Sequence, residues 1–143
     1  MDRGRNSDPG TGSRHPLTEE SGLDLFDASL VGVQDAMSGA SLRGQVLANN
    51  IANANTPNFK RSDVDFQSVL AQAFGSADPA GALSRISFQP QVDASAGTVQ
   101  ADGYNVDIDR EMSNLSENTL TYQSLAAVMT TRLTILRTAI GTT

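Results

Sequence analysis

Two heptad patterns, one near each end of the chain, constrain its fold most strongly. Apolar and small residues recur with alternating spacings of three and four positions in both stretches. Such a repeat, sustained over about four heptads, is typical of helices that pack along a common seam. The first seam comprises Phe26, Leu30, Val33, Met37, Ala40, Gly44, Leu47 and Ile51, and the second comprises Met112, Leu115, Thr119, Tyr122, Ala126, Met129, Leu133, Leu136 and Ile140.

The chain is therefore predicted to be mainly α-helical, with two long terminal helices that form an antiparallel coiled-coil hairpin. We expect the first helix over residues 21–55 and the second over residues 104–143. Residues 56–74 are predicted to form a turn and a short helix, and residues 75–103 a largely irregular middle segment. Residues 1–20, rich in Gly, Ser, Pro and Asp, are predicted to be a disordered extension.

The second helix carries more apolar surface than a two-helix hairpin can bury. Leu120, Leu125, Val128 and Ile135 fall outside its seam and widen the apolar face. In the first helix, the small residues around Ala40 permit close approach of another helix. The partner can be the other helix of the same chain alone or neighbouring subunits as well, and the sequence leaves both open.

An asparagine cluster marks the expected end of the first helix. Residue 56 precedes Pro57, and a residue before proline is disfavoured in the α conformation, so the helix should stop near residues 53–55. Asn58 is expected to adopt positive φ in the following turn. We interpret the clustered asparagines as capping and turn residues and not as ligands. They are Asn49, Asn50, Asn53 and Asn55.

Two groups of acidic residues resemble ligand sets but have a simpler interpretation. Asp63 and Asp65 precede the short helix, and Asp107, Asp109 and Glu111 precede or open the second long helix. Acidic residues at these positions cap the helix or interact favourably with its dipole. We therefore predict no metal site from either group.

Composition narrows the function further. The chain has no cysteine, and its single histidine, His15, lies in the N-terminal extension without nearby ligands. The net charge is −6 with scattered basic residues, which argues against nucleic-acid binding. No apolar run is long enough for a membrane span. We predict no catalytic residue, cofactor or metal. The N-terminus lacks the apolar core segment of a cleaved signal peptide, so export from the cytoplasm would require another route.

The segment LRGQVLANNIANANTPNFKRSDVDF, residues 42–66, resembles the N-terminal motif of bacterial flagellar rod and hook proteins. Residues 103–140, with NVDIDREM, ENTLTYQ and LRTAI, are similar to the proximal-rod members of that family. Asn58 stands where the family often has glycine, and it keeps positive φ accessible. The matching motif residues are Ala48, Asn49, Asn50, Asn53, Thr56, Pro57 and Phe59.

The resemblance implies a structural subunit of the proximal rod of the flagellar basal body. Such a subunit acts by helical self- and co-assembly in the driveshaft that crosses the periplasm. Its implied partners are other rod proteins, the FliE adaptor at the membrane-ring and export-gate end, and the flagellar type III export apparatus. Two alternatives stay open: another proximal rod protein of the same family, or a secreted coiled-coil binding module.

Overall fold

The computed structural model describes residues 20–93 and 105–141. Helix α1 spans Glu20–Ala52 and helix α4 spans Ile108–Ile140, each with 33 residues. At 1.5 Å per residue each is roughly 50 Å long. The prediction of a mainly helical chain with a long helix near each end is confirmed. His15, most of the predicted extension and the side chain of Phe26 lie outside the described residues.

Between the long helices the chain is more regular than predicted. Strand β1 (Ser62–Asp63) precedes helix α2 (Phe66–Phe74), and helix α3 (Pro79–Leu83) precedes strand β2 (Gln91–Val92). The two strands pair antiparallel. The segment predicted to be largely irregular from residue 75 onward thus contains one short helix and one short strand within its described residues.

Local chemistry explains why α3 forms in a stretch of small residues. Pro79 occupies the first helical turn, where its missing amide hydrogen costs nothing. The carboxylate of Asp78 accepts a hydrogen bond from the backbone amide of Gly81 at 2.9 Å. An N-cap and a proline at the right spacing thus start a helix of only five residues.

The helix starts are capped by aspartates, although one expected cap has a different role. Asp65 caps α2 by accepting from the Ser68 amide at 3.1 Å, and Asp107 caps α4 by accepting from the Arg110 amide at 3.2 Å. Asp63 was expected to be a helix-start acid as well, and that expectation is wrong. It lies in β1, where two arginines bind its carboxylate.

The core lies between α1 and the middle elements, and small residues on α1 make it possible. Phe66 of α2 packs on α1 at Gly39, where an added Cβ would lie 2.6 Å from the Cβ of Phe66. Phe88 meets the Phe66 ring edge-on at 6.3 Å between centroids. Around these rings the buried apolar residues are Ala28, Ala36, Ala40, Val64, Leu70, Ala73 and Leu83.

Most hydroxyl groups of α4 are hydrogen-bonded within the helix itself. Eight Ser and Thr side chains donate to the carbonyl oxygen four residues earlier, at 2.8–3.0 Å. This local bond is common for hydroxyl residues inside helices. Residues 131–141 are all exposed.

A bilayer span would need a helix both long and strongly apolar. None of the helices in the described ranges combines those two properties.

Candidate functional site: the ionic junction and the helix interface

The asparagine-rich turn that follows α1 is held by short-range hydrogen bonds. The Asn53 side chain donates to the Asn49 carbonyl at 2.9 Å, and the Thr56 amide donates to the Asn53 carbonyl at the same distance. The Phe59 amide donates to the Thr56 carbonyl at 3.2 Å. Asn58 has φ 61°, which confirms the expected positive φ at the turn.

Asn50 has a different environment from its neighbours in the motif. Only 1% of it is exposed, and its amide oxygen accepts from the Ser62 backbone amide at 3.2 Å. Its Nδ2 donates to the Ser62 carbonyl at 2.7 Å and to Oε2 of Glu111 at 2.8 Å. One side chain therefore joins α1 to both β1 and α4, and the prediction of a purely local role is wrong for Asn50.

Arg61, immediately before β1, connects three acidic residues. Its Nε donates to Oε1 of Glu111 at 2.6 Å, and its two terminal nitrogens donate to Asp93 at 2.5 Å and Asp63 at 3.3 Å. Both members of the Arg61–Glu111 pair are nearly inaccessible, at 6% and 1% side-chain exposure. Such a buried pair is costly to separate, because either partner alone is a buried uncompensated charge.

Asp63 is held by a second arginine from α1. Nε and Nη2 of Arg43 donate to its two carboxylate oxygens at 2.9 and 3.2 Å, and the Val64 amide donates to Oδ1 at 2.7 Å. Burial alone would raise the pKa of Asp63, but the hydrogen bonds from Arg43 and Val64 outweigh it and lower that pKa. The hydrogen bond to Asp63 likewise raises the pKa of Arg43.

Burial opposes the charge of Arg61, but the hydrogen bond to Glu111 helps to outweigh that effect and raises its pKa. We call this set of residues the ionic junction. It combines two guanidinium groups with three carboxylates, so arginine side chains supply the positive charge among the carboxylates. Within residues 20–93 and 105–141, no group of three His, Asp or Glu side chains has the arrangement of a metal site. The members of the ionic junction are Arg43, Asn50, Arg61, Asp63, Asp93 and Glu111.

Beyond the ionic junction, α1 and α4 approach closely where α1 carries small residues. Ala40 is fully buried, and Nδ2 of Asn118 donates to its backbone carbonyl at 2.8 Å. A Cβ added to Gly44 would lie 3.2 Å from the same nitrogen. Leu47, also fully buried, lies between Gly44 and Asn50 along α1.

The predicted seam residues are buried to very different degrees. On α1, Leu30, Val33, Met37, Gly44 and Ile51 are half-buried, whereas Ala40 and Leu47 are fully buried. On α4, Leu115, Ala126 and Met129 are half-buried, whereas Met112, Tyr122, Leu133, Leu136 and Ile140 are 40–78% exposed. Met37, Tyr122 and Met129 line one groove of about 580 Å³ between the long helices.

The motif residues also differ in accessibility. Asn50 is buried, Asn53 and Phe59 are half-buried, and Asn49, Thr56 and Pro57 are exposed. The structure thus brings one motif residue into the ionic junction and leaves the others at the end of α1 and in the turn that follows it. As positions for packing or assembly, the seam and motif residues stay predictions.

Sequence reasoning missed the residues that complete these contacts. Glu111 was interpreted as a first-turn acid, yet it is fully buried. Arg61 and Asp93 are far apart in sequence and carry no pattern. Asn118 offered a usable signal, because it is an amide within a predicted apolar surface, and buried amides need partners.

Comparison with known proteins agrees with these features. The family model described as "Flagella basal body rod protein" matches residues 34–60, which include the close helix contact and the asparagine motif. Flagellar basal body rod protein FlgB of Bacillus subtilis strain 168 is 32% identical over 128 residues, covering 82% of this chain and 97% of that protein.

Two enterobacterial relatives have similar coverage. FlgB of Escherichia coli K12 is 37% identical over 123 residues, covering 74% of this chain and 88% of its own length. FlgB of Salmonella typhimurium LT2 is 32% identical over 126 residues, covering 78% and 91%. These names denote rod proteins and not enzymes. With such identity over most of both chains, the chain belongs to the FlgB family of flagellar basal body rod proteins.

Proposed function

We propose that this protein is a structural subunit of the rod of the bacterial flagellar basal body and acts by assembly, without catalysis. The observation that carries the proposal is the similarity to FlgB proteins over most of the chain. The apolar surface of α4 supports it, because such a surface on a rod subunit is available to neighbouring subunits.

We infer that the two long helices pair as an antiparallel coiled-coil hairpin. The order of their contacts supports this arrangement. Asn50, near the end of α1, bonds to Glu111 near the start of α4, whereas Ala40, earlier on α1, bonds to Asn118, later on α4. Residues with lower numbers on α1 thus contact residues with higher numbers on α4, which is the order expected of antiparallel helices.

We propose that neighbouring subunits cover the exposed apolar residues of α4 in a heterologous, helical array. A heterologous contact joins different surfaces of successive subunits and produces a filament when it does not close. The exposed large apolar residues of α4 extend from its first turn, next to the ionic junction, to its last residue. They are Ile108, Met112, Leu120, Tyr122, Val128, Leu133, Ile135, Leu136 and Ile140.

We further propose a proximal position in the rod, on the periplasmic side. The partners would be other rod proteins and the FliE adaptor, and the type III export apparatus would deliver the chain. The resemblance of residues 103–140 to proximal-rod members supports this position. A cysteine-free chain is also suited to export in an unfolded, reduced state.

Electron microscopy of basal bodies from a strain lacking this protein tests the function. We expect rings without a rod, and rods restored by the wild-type gene but not by an empty vector. Intact rods in the deletion strain would overturn the proposal and would favour a secreted coiled-coil module.

A pull-down with purified FliE tests the position in the rod, with another rod protein of the same species as the matched control. We expect selective retention of this chain. Failure to bind FliE, together with loss of rods in the deletion strain, would favour a different proximal position in the same family.

A further inference from the structure

Asn118 is a polar side chain in the middle of an otherwise apolar helix contact. It is only 5% exposed, and its Nδ2 donates to the Ala40 backbone carbonyl at 2.8 Å. Its Oδ1 is buried and has no hydrogen-bond partner among the described residues. A leucine of similar size would avoid this unpaired oxygen, so stability alone does not explain an asparagine here.

The amide reaches the backbone of α1 only because α1 is bare at this level. Ala40 and Gly44 are one turn apart on the same face, and the side-chain nitrogen occupies the space that a Cβ on Gly44 would approach to 3.2 Å. One turn further in either direction, the same face carries Met37 and Leu47. We expect these larger side chains to hinder the approach of an amide to the backbone carbonyls near them.

A shift between the helices would therefore separate the amide from its acceptor among the described residues. The same shift would also break the bonds of Glu111 to Asn50 and Arg61, which support the same register. The apolar positions tolerate such a shift, because a heptad repeat returns apolar residues to the interface. A buried donor left without a partner, in contrast, disfavours the shifted arrangement by an equilibrium factor of about 5 to 150.

We propose that Asn118, with the space at Ala40 and Gly44, selects the register in which α1 and α4 pair. A buried asparagine in an apolar helix interface is known to specify register at a cost in stability. The inference rests on the proposed hairpin and deepens it. A slip of one heptad moves α4 by about 10 Å along α1, so the register also fixes where Leu120, Val128 and Ile135 are displayed to neighbouring subunits.

Distance measurement between two spin labels tests the register. The chain has no cysteine, so cysteines introduced at the exposed positions Ala48 and Gln123 are labelled selectively. The full-length labelled protein is diluted with unlabelled protein, so that the dipolar signal is intramolecular. The substitutions are Asn118→Leu, the smaller Asn118→Ser, and Ser116→Leu as a control at an exposed position of the same helix. Each is combined with Glu111→Leu, because the bonds of Glu111 to Asn50 and Arg61 oppose the same slip.

We expect one distance in the wild type and in Ser116→Leu. With Glu111→Leu present, we expect additional populations in both Asn118 variants, displaced by about 10 Å along the helix. The ratio of shifted to original register should rise about fivefold or more over Glu111→Leu alone. Asn118→Ser removes volume and does not crowd Gly44, so it decides the test if Asn118→Leu fails to fold.

An unchanged distance distribution in Asn118→Ser with Glu111→Leu, relative to Glu111→Leu alone, would overturn the register role. A wild type without any defined distance would overturn the hairpin itself. The rod function fails separately, through intact rods in the deletion strain.

Discussion

The two ends of α4 share one heptad spacing but have opposite environments. Near its start, Glu111 and Asn118 are buried and bond to side chains or backbone of α1 and to Arg61. From residue 131 to residue 141 every residue is exposed, including the apolar ones. Heptad spacing thus identifies which residues share a face of the helix. Polar contacts determine which part of that face is held against the rest of the same chain.

The largest loss of stability is expected on removal of the buried carboxylate of Glu111, at the buried end of α4. In Glu111→Leu, Arg61 loses its most buried partner and Asn50 loses an acceptor, so we expect a loss of about 3–5 kcal/mol in the free energy of unfolding. Urea unfolding followed by circular dichroism measures this loss. The exposed Glu117→Leu is the control, with an expected change below about 0.5 kcal/mol. Equal effects of the two substitutions would contradict the importance of the ionic junction.

A smaller loss of stability is expected when the space between α1 and α4 is filled. Ala40→Leu adds volume where Ala40 is fully buried against α4, and overpacking of this kind costs about 1–3 kcal/mol. We expect a lower urea midpoint and loss of swimming in soft agar. Ala52→Leu, at an exposed position of α1 outside the motif residues, should retain both. Normal motility of Ala40→Leu would contradict the close contact.

The contribution of Asp63 to the stability of the fold should depend on pH. Its pKa is lowered in the folded protein, so its contribution to stability is present above the ordinary value of 3.8 and is lost as the pH falls through the lower folded value. Asp63→Asn should cost about 1–3 kcal/mol at neutral pH. The difference from the wild type should shrink in urea titrations below about pH 4. A difference independent of pH would show that the carboxylate charge is not the cause.

The contribution of Asp35, in α1, to stability should change with pH with the opposite sign. Burial raises its pKa, and its Oδ2 has no hydrogen-bond partner among the described residues. Stability is therefore fully present below pH 3.8 and decreases as the pH rises through the raised folded value. Asp35→Asn should be slightly more stable than the wild type at neutral pH, by less than about 1 kcal/mol. Parallel urea titrations of both asparagine variants compare the two signs directly, and a destabilised Asp35→Asn would contradict the assignment.

The smallest effect on stability is expected at the exposed end of α4. Ile135→Gln changes a residue that is 59% exposed, so the free energy of unfolding should change by less than about 0.5 kcal/mol. Swimming and rod assembly should nevertheless be lost if neighbouring subunits cover this face. Arg132→Gln, an exposed polar position nearby, should retain motility. Normal assembly of Ile135→Gln would restrict the proposed surface to other residues.

The sequence predicts the periodic parts of this fold and misses the parts that depend on distant partners. Apolar spacing and Pro57 were sufficient for the two long helices and the end of α1, because helix periodicity and proline act locally. The positive φ of Asn58 followed from turn chemistry in the same way.

The ionic junction could not be derived in that way. Arg61 and Glu111 are 50 positions apart, and only the folded chain brings their side chains to 2.6 Å. Glu111 in isolation has the features of any acidic residue in a first helical turn. Charge patterns predict local helix contacts, whereas pairing across the fold depends on the packing that the sequence does not show.

The hydroxyl groups of α4 add one consequence for the life of such a subunit. Eight of them already donate to carbonyl oxygens of their own helix. When that surface is transferred from water into a dry environment, these hydroxyl hydrogens therefore keep their hydrogen bonds. The helix is therefore compatible with two solvents, water and the interior of a protein assembly. A subunit that meets water first and its neighbours later can change between them without rearranging these bonds.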